Sequence, residues 1–260
     1  MTNADPPHVL IARDGGVLTL TLNRGERFNP LSEEMLAALQ AAFDAARDDE
    51  GVRVIVLAAA GKAFCAGHDL KQMRASPSEA YYKALFDRCS KLMLSMQQLP
   101  QPVIARVQGI ATAAGCQLVS MCDLAVASTE ARFAVSGVNY GLFCSTPAVG
   151  LSRNVPRKQA MEMLLTGDFI DAETARERGL VNRVVALDEL DAEIGRLAAS
   201  ILAKPSVAVA MGKRLFYKQL EMGAGAAYQL AGQAMACNMM DEAALEGVQA
   251  FLEKRVPDWK

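Results

Sequence analysis

The run "VRVIVLAAA", residues 52–60, does most to limit what this chain can fold into. A strand that is apolar at nearly every position has no face to offer water and must be covered on both sides. Helices on both faces of a largely parallel sheet provide that cover, and parallel neighbours need long crossovers, usually helical. "PVIARV" (102–107) and "DLAVAS" (123–128) supply further short apolar strands.

The segments between these strands have helical patterns. Ser32 is placed as an N-cap, Glu33 and Glu34 suit the positive end of the helix dipole, and Met35, Leu39, Phe43 and Ala46 mark one face. A long helix is expected over Glu79 to Leu99, with Tyr82, Phe86, Cys89, Met93 and Met96 on one stripe. Ahead of both, "VLIARDGGVLTLTL" predicts a hairpin turning at Asp14-Gly15-Gly16, with Leu18, Leu20 and Leu22 alternating against Thr19 and Thr21. From about Val155 helix dominates. Asp171 caps a segment ending at Gly179, and Lys204-Pro205 precedes a last helical stretch. The expected organisation is an α/β core over residues 1–200 followed by a helical region over 201–260.

With 52% hydrophobic and 22% charged residues in 260, the chain can bury a sizeable core. A net charge of −2 and the lack of a basic stripe with interleaved aromatics argue against a nucleic-acid partner. The six cysteines (65, 89, 116, 122, 144 and 237) form no CxxC pair, and there are only two histidines, His8 and His68. No metal site is expected, and free thiols fit a reducing compartment. The first residues, "MTNADPPHVL", lack the basic-then-apolar order of a secretory signal, and no apolar stretch approaches the ~20 residues of a membrane helix. The expectation is a soluble protein with no membrane partner, cytoplasmic, or of the mitochondrial matrix in a eukaryote.

Two loops concentrate the chemistry. "GKAFCAGHDL" (61–70) follows the strand at 52–60, and "GIATAAGCQL" (109–118) follows the strand at 103–107. Each has few large side chains and leads into a helix, so backbone N–H groups are left free at a helix start. Two such groups aimed at one point make an oxyanion hole. Spacing alone also allows tight turns with no further role.

Taken together, "AFCAGHDL", "QGIATAAGCQLVSMCDLAVAS", the earlier "LNRGERFNPLS" and the final "FLEKR" resemble the crotonase (enoyl-CoA hydratase/isomerase) superfamily. The resemblance runs in order over nearly the whole chain. It implies a crotonase-type spiral of ββα units and a C-terminal helical region that packs a homotrimer, often paired into a hexamer. It also implies an acyl-CoA thioester as ligand, with coenzyme A part of the substrate and no separate cofactor. By that resemblance the thioester oxygen is held by the backbone N–H groups of His68 and Ala114, the latter where glycine is usual, with Ala113 beside it. Ala66 and Leu70 match positions near the adenine and pantetheine, and Arg27 and Phe28 fall in the N-terminal motif. Phe251 and Lys254 match residues that reach a neighbouring subunit's coenzyme A, where a lysine acts as a point charge near phosphate. An exposed lysine on a final helix is the plainer alternative.

The chain departs from its family at the proton-handling positions. Hydratases of the family use two glutamates; the matching positions here hold Gln117 and Gly137. Glutamine can orient a water but takes no proton at neutral pH, and glycine offers no side chain. Classical hydration is therefore expected to be weak or absent. The "AGHD" and Val138-Asn139-Gly141 stretches are also similar to decarboxylating members, in which loss of carboxylate forms the enolate without a base. Such glutamate-independent chemistry, or binding without turnover, remains open at this stage. Asp69 is placed to cap the helix after it or to line the site, the His68 ring to pack or to transfer protons, and Cys144, Asn139 and Tyr140 to serve the core or loop or to touch an acyl group.

Overall fold

The computed structural model describes residues 6–75 and 77–259. The chain opens with the expected hairpin, β1 (Val9–Asp14) and β2 (Val17–Leu22), paired antiparallel across a two-residue turn in which Gly15 has φ +53°. Helix α1 (Glu33–Arg47) follows, with the Ser32 side chain accepting from the Met35 N–H. Then come β3 (Val54–Ala59), β4 (Ala63–Cys65), α2 (Leu70–Ala75) and α3 (Glu79–Gln98). The pattern repeats as β5 (Val103–Val107), β6 (Ile110–Thr112) and α4 (Ala114–Met121). It repeats again as β7 (Leu124–Ser128), β8 (Arg132–Ala134), a 3₁₀ turn at Ser136–Tyr140 and α5 (Ser145–Asn154).

Three ββα units thus succeed one another. The longer strand of each joins a six-stranded sheet ordered β1-β2-β3-β5-β7-β10, parallel from β2 onward. The shorter strand of each joins a second sheet ordered β4-β6-β8-β9. After α6 (Arg157–Thr166) the chain adds β9 (Ile170–Asp171), α7 (Ala172–Glu177) and β10 (Arg183–Val185). The helical end comprises α8 (Leu190–Leu202), α9 (Ser206–Leu220), α10 (Ala224–Met239) and α11 (Glu242–Glu253).

The continuous apolar strands are explained by two cores. Strand side chains alternate faces. On β3, Ile55, Leu57 and Ala59 enter the main core with Met35, Leu39, Phe43, Cys89, Met93 and Met96, residues expected on the inner stripes of α1 and α3, whereas Tyr82 and Phe86 of the same expected stripe are only half-buried. Val54 and Val56 point the other way, into a smaller core with Ile104, Val126, Leu190, Ile194 and Ala198. Helix α8 supplies that second cover.

The C-terminal helices have a different character. The single buried side chain of α9 is Lys213. Its Nζ donates to Met96 O at 2.7 Å, Gln101 O at 2.8 Å and Asp123 Oδ2 at 2.6 Å. Asp123 also accepts from the Tyr217 hydroxyl at 2.8 Å and the Val103 N–H at 2.7 Å. Among the described residues no single helix is long and apolar enough to cross a membrane.

Candidate active site

The second sheet sets up the site. Its neighbours β4, β6 and β8 end side by side, leading to His68, Ala114 and Gly137 respectively. Glycines allow this closeness at particular points. A Cβ on Gly109 would lie 2.0 Å from the Lys62 carbonyl oxygen, and one on Gly115 would lie 2.2 Å from that of Cys65. A side chain at either position would push β6 and α4 off β4.

Where the first two loops meet, a Cβ on Gly67 would be 3.0 Å from Ala113 Cβ and 3.2 Å from the Ala114 nitrogen. Ala113 is the N-cap of α4 with φ +50° and ψ −120°, a conformation that disfavours a residue bearing a Cβ, and no side chain caps this helix. Among the described residues, the backbone N–H groups of Ala114 and His68 donate to no protein acceptor. Both residues line one cavity of about 750 Å³, within the size range of small-molecule sites.

Of the residues matched on sequence, Arg27, Ala66, Asp69, Leu70, Ala113, Gly137 and Tyr140 also line this cavity. Several do not. Phe28 is 54% exposed and lies outside it; Phe251, 82% exposed, borders a separate groove beside Trp259; and Lys254 caps the end of α11 with φ +56°. Gln117 is likewise outside the cavity lining. It is buried in α4, and its Oε1 has no hydrogen-bond partner among the described residues.

Asp69 is the only carboxylate among the described lining residues, and its Oδ1 accepts the N–H groups of Lys71 at 2.9 Å and Gln72 at 3.1 Å. It therefore caps α2. The His68 ring stands edge-on to Phe86 with centroids 5.6 Å apart, and its Nδ1 lies 3.3 Å from the Leu31 carbonyl oxygen. That contact requires the proton on Nδ1, leaving Nε2 as a buried acceptor with no partner. Burial holds the imidazole pKa below its ordinary value against the smaller opposing effect of Leu31, so the ring is neutral at pH 7.

Residue 137, matched on sequence to the second glutamate, is closely packed. A Cβ on Gly137 would lie 2.4 Å from the Leu142 carbonyl oxygen and 2.7 Å from Cys144 Sγ. Instead the Gly137 N–H donates to that sulfur at 3.2 Å. Burial raises the Cys144 thiol pKa, partly offset by this hydrogen bond, and keeps it protonated at neutral pH. A glutamate cannot be placed at residue 137 without moving the 137–144 loop.

Sequence reasoning had no sight of this thiol packing, nor of the Thr112–Ser136 hydroxyl pair at 2.9 Å in the cavity wall. The hydroxyl pair joins two ββα units, whereas the thiol contact joins residues seven apart in the segment from the 3₁₀ turn to the start of α5. No group of three or more His, Cys, Asp or Glu side chains is arranged to hold a metal ion among the described residues.

Paired loops above stacked ββα units define a crotonase-type protein, and residues 12–260 match the model of the enoyl-CoA hydratase/isomerase family, to which this chain belongs. It is 44% identical to enoyl-CoA hydratase domain-containing protein 3, mitochondrial, of Xenopus laevis, over 97% of this chain and 86% of that one. It superimposes on the crystal structure of a Mycobacterium smegmatis enoyl-CoA hydratase with TM-score 0.97 and 65% identity, covering 98% and 99% of the two chains. Human enoyl-CoA hydratase domain-containing protein 3 gives TM-score 0.94 and 44% identity, with 97% and 100% covered.

Proposed function

We propose that this chain binds acyl-CoA thioesters and polarises the thioester carbonyl through the backbone N–H groups of His68 and Ala114, without the carboxylate pair that hydration uses. One observation carries the reading. Two N–H groups without protein acceptors border one cavity whose only described carboxylate is engaged as a helix cap. Backbone donors fixed before the ligand arrives stabilise a developing oxyanion with little reorganisation. Arg27, Ala66, Leu70 and Ala113 border the ligand, and coenzyme A enters as part of the substrate.

Hydration of crotonyl-CoA then runs at least about 10²-fold below carboxylate-bearing family members, because positioned acid–base groups typically contribute 10²–10⁴-fold. Steady-state hydration together with titration of a saturated acyl-CoA tests this. Measurable affinity with feeble hydration supports the reading; hydration at family-typical rates overturns it.

A second reading follows from the same wall. Decarboxylation of a malonyl-type thioester generates the enolate by losing CO₂, needing N–H donors and a proton source but no starting base. Cys144 and Tyr140 border the cavity, and burial keeps the Cys144 thiol protonated at neutral pH. Release of CO₂ from a malonyl-type ester, and none from a simple acyl-CoA, selects it. Affinity with no turnover on either selects a non-catalytic binder.

Residues 201–260 form the trimerisation region in this reading, within a homotrimer or hexamer. Large apolar side chains exposed there, including Phe216, Tyr228, Met235 and Leu252, support that role. In the assembly, Phe251 and Lys254 meet a neighbour's coenzyme A. Light scattering of the purified protein checks the stoichiometry. Vertebrate relatives are named mitochondrial, which favours the mitochondrial matrix for this chain if its source is eukaryotic and the cytoplasm otherwise.

A further inference from the structure

Two amide side chains, one behind each loop, converge on the turn between β3 and β4. Asn29 precedes α1 and is completely buried, at the end of a backbone reversal in which Phe28 has φ +62° and Asn29 has φ +51°. Its Nδ2 donates to the carbonyl oxygens of Ala60 at 2.8 Å and Ala63 at 2.9 Å, and its Oδ1 accepts the Arg24 N–H at 2.8 Å. From the other side, Gln108 Nε2 donates to the carbonyls of Ala59 at 2.9 Å, Gly61 at 3.1 Å and Ala63 at 3.1 Å. The Ala63 oxygen is thus shared by both amides.

Each amide is rigidly connected to one N–H donor. The Asn29 segment is laced to the first loop, with Ala66 N–H donating to Phe28 O at 2.9 Å and Leu31 N–H to Gly67 O at 2.8 Å, on the two residues before His68. Gln108 immediately precedes Gly109 and β6, which is followed by Ala113 and Ala114, and its own carbonyl accepts the Ser128 hydroxyl at 2.9 Å. Moving either amide alters where one donor sits relative to the other.

We propose that Asn29 and Gln108 are positioning residues which, through the shared Ala63 carbonyl, register the His68 and Ala114 N–H groups against each other. The inference rests on the thioester-polarising reading above. It predicts that losing either amide spares ligand affinity but weakens stabilisation of negative charge on the ligand oxygen. A donor misplaced by about 1 Å can cost on the order of 10²-fold, whereas ground-state binding is spread over the whole ligand.

Acetoacetyl-CoA separates these quantities. Its C2 proton passes to buffer, and the resulting enolate absorbs in the near ultraviolet where the keto form does not. The wild-type protein should raise the enolate-to-keto ratio of bound ligand at fixed pH. Asn29→Gly keeps a residue tolerant of positive φ while deleting all three side-chain bonds; Gln108→Leu keeps approximate shape. Each should lower the ratio about 10-fold or more while changing butyryl-CoA affinity less than about 3-fold. Folded variants with the wild-type ratio, or with affinity and ratio falling together, overturn the inference. Should Asn29→Gly not fold, the half-buried Gln108 decides alone. A wild-type protein that binds the ester but stabilises no enolate sinks the polarising reading and this inference with it.

Discussion

Cys144 Sγ accepts the Gly137 N–H at 3.2 Å and occupies the space into which any Cβ at residue 137 would project. The loop packing thus leaves no room for a side chain at residue 137, the position proposed to match the second hydratase carboxylate. Gly137→Ala should lower stability by about 1–3 kcal/mol through overpacking against Leu142 O and Cys144 Sγ. A melting temperature equal to wild type contradicts this. The same obstruction means that Gln117→Glu combined with Gly137→Glu should not yield a competent hydratase; a folded double variant hydrating crotonyl-CoA at family-typical rates would overturn that expectation.

Ala113 holds φ +50° at the N-cap of α4, where a Cβ is strained and glycine is not. Ala113→Gly should raise stability by about 1 kcal/mol despite the greater freedom glycine has when unfolded. Thermal unfolding at fixed pH gives the answer, and an unchanged or lowered melting temperature refutes it.

Lys213 fixes α9 to the core. Lys213→Met leaves the partly buried Asp123 carboxylate without its ammonium partner and the carbonyls of Met96 and Gln101 without the lysine donor. A loss of about 3–5 kcal/mol is expected on denaturant unfolding, together with faster proteolysis at the 203–205 connection between α8 and α9. Wild-type stability and proteolysis in the variant would remove the lysine from this role.

His68 gives the protein a pH dependence of known sign. Its folded pKa lies below the ordinary 6.5, chiefly through burial. Between the folded value and 6.5 the unfolded chain binds more protons, so this contribution to stability is complete above 6.5 and fades as pH falls through that window. His68→Gln should lose less stability than wild type between pH 7.5 and 5. Parallel pH profiles for the two proteins would show that the ring does not titrate in this way.

Much of the fold was legible because it is written locally. Asp14-Gly15-Gly16 turns the first hairpin, Ser32 and Asp171 cap α1 and α7 through their side chains, and period-two burial on β3 follows from an apolar run. The division into two sheets was not derivable from pattern, since β4, β6 and β8 are three residues each, too short to show a period. The resemblance supplied the ββα repeat instead. At the site, Asp69 capping α2 was foreseeable from its place before a helix. Asn29-Pro30 marks a turn in sequence, but nothing local says that the Asn29 amide reaches carbonyls more than thirty residues away. The Lys213–Asp123 pair was invisible for the same reason, its partners being ninety residues apart. The Gly137–Cys144 contact is local but depends on a loop conformation that no residue pattern specifies.

The thiol beneath Gly137 also bears on descent. A single codon change at 137 cannot deliver a working carboxylate, because the Leu142 carbonyl and the Cys144 sulfur already fill the volume it needs. The loop would have to be remodelled with it. A carboxylate at residue 137 is thus reached only together with changes elsewhere in the 137–144 loop.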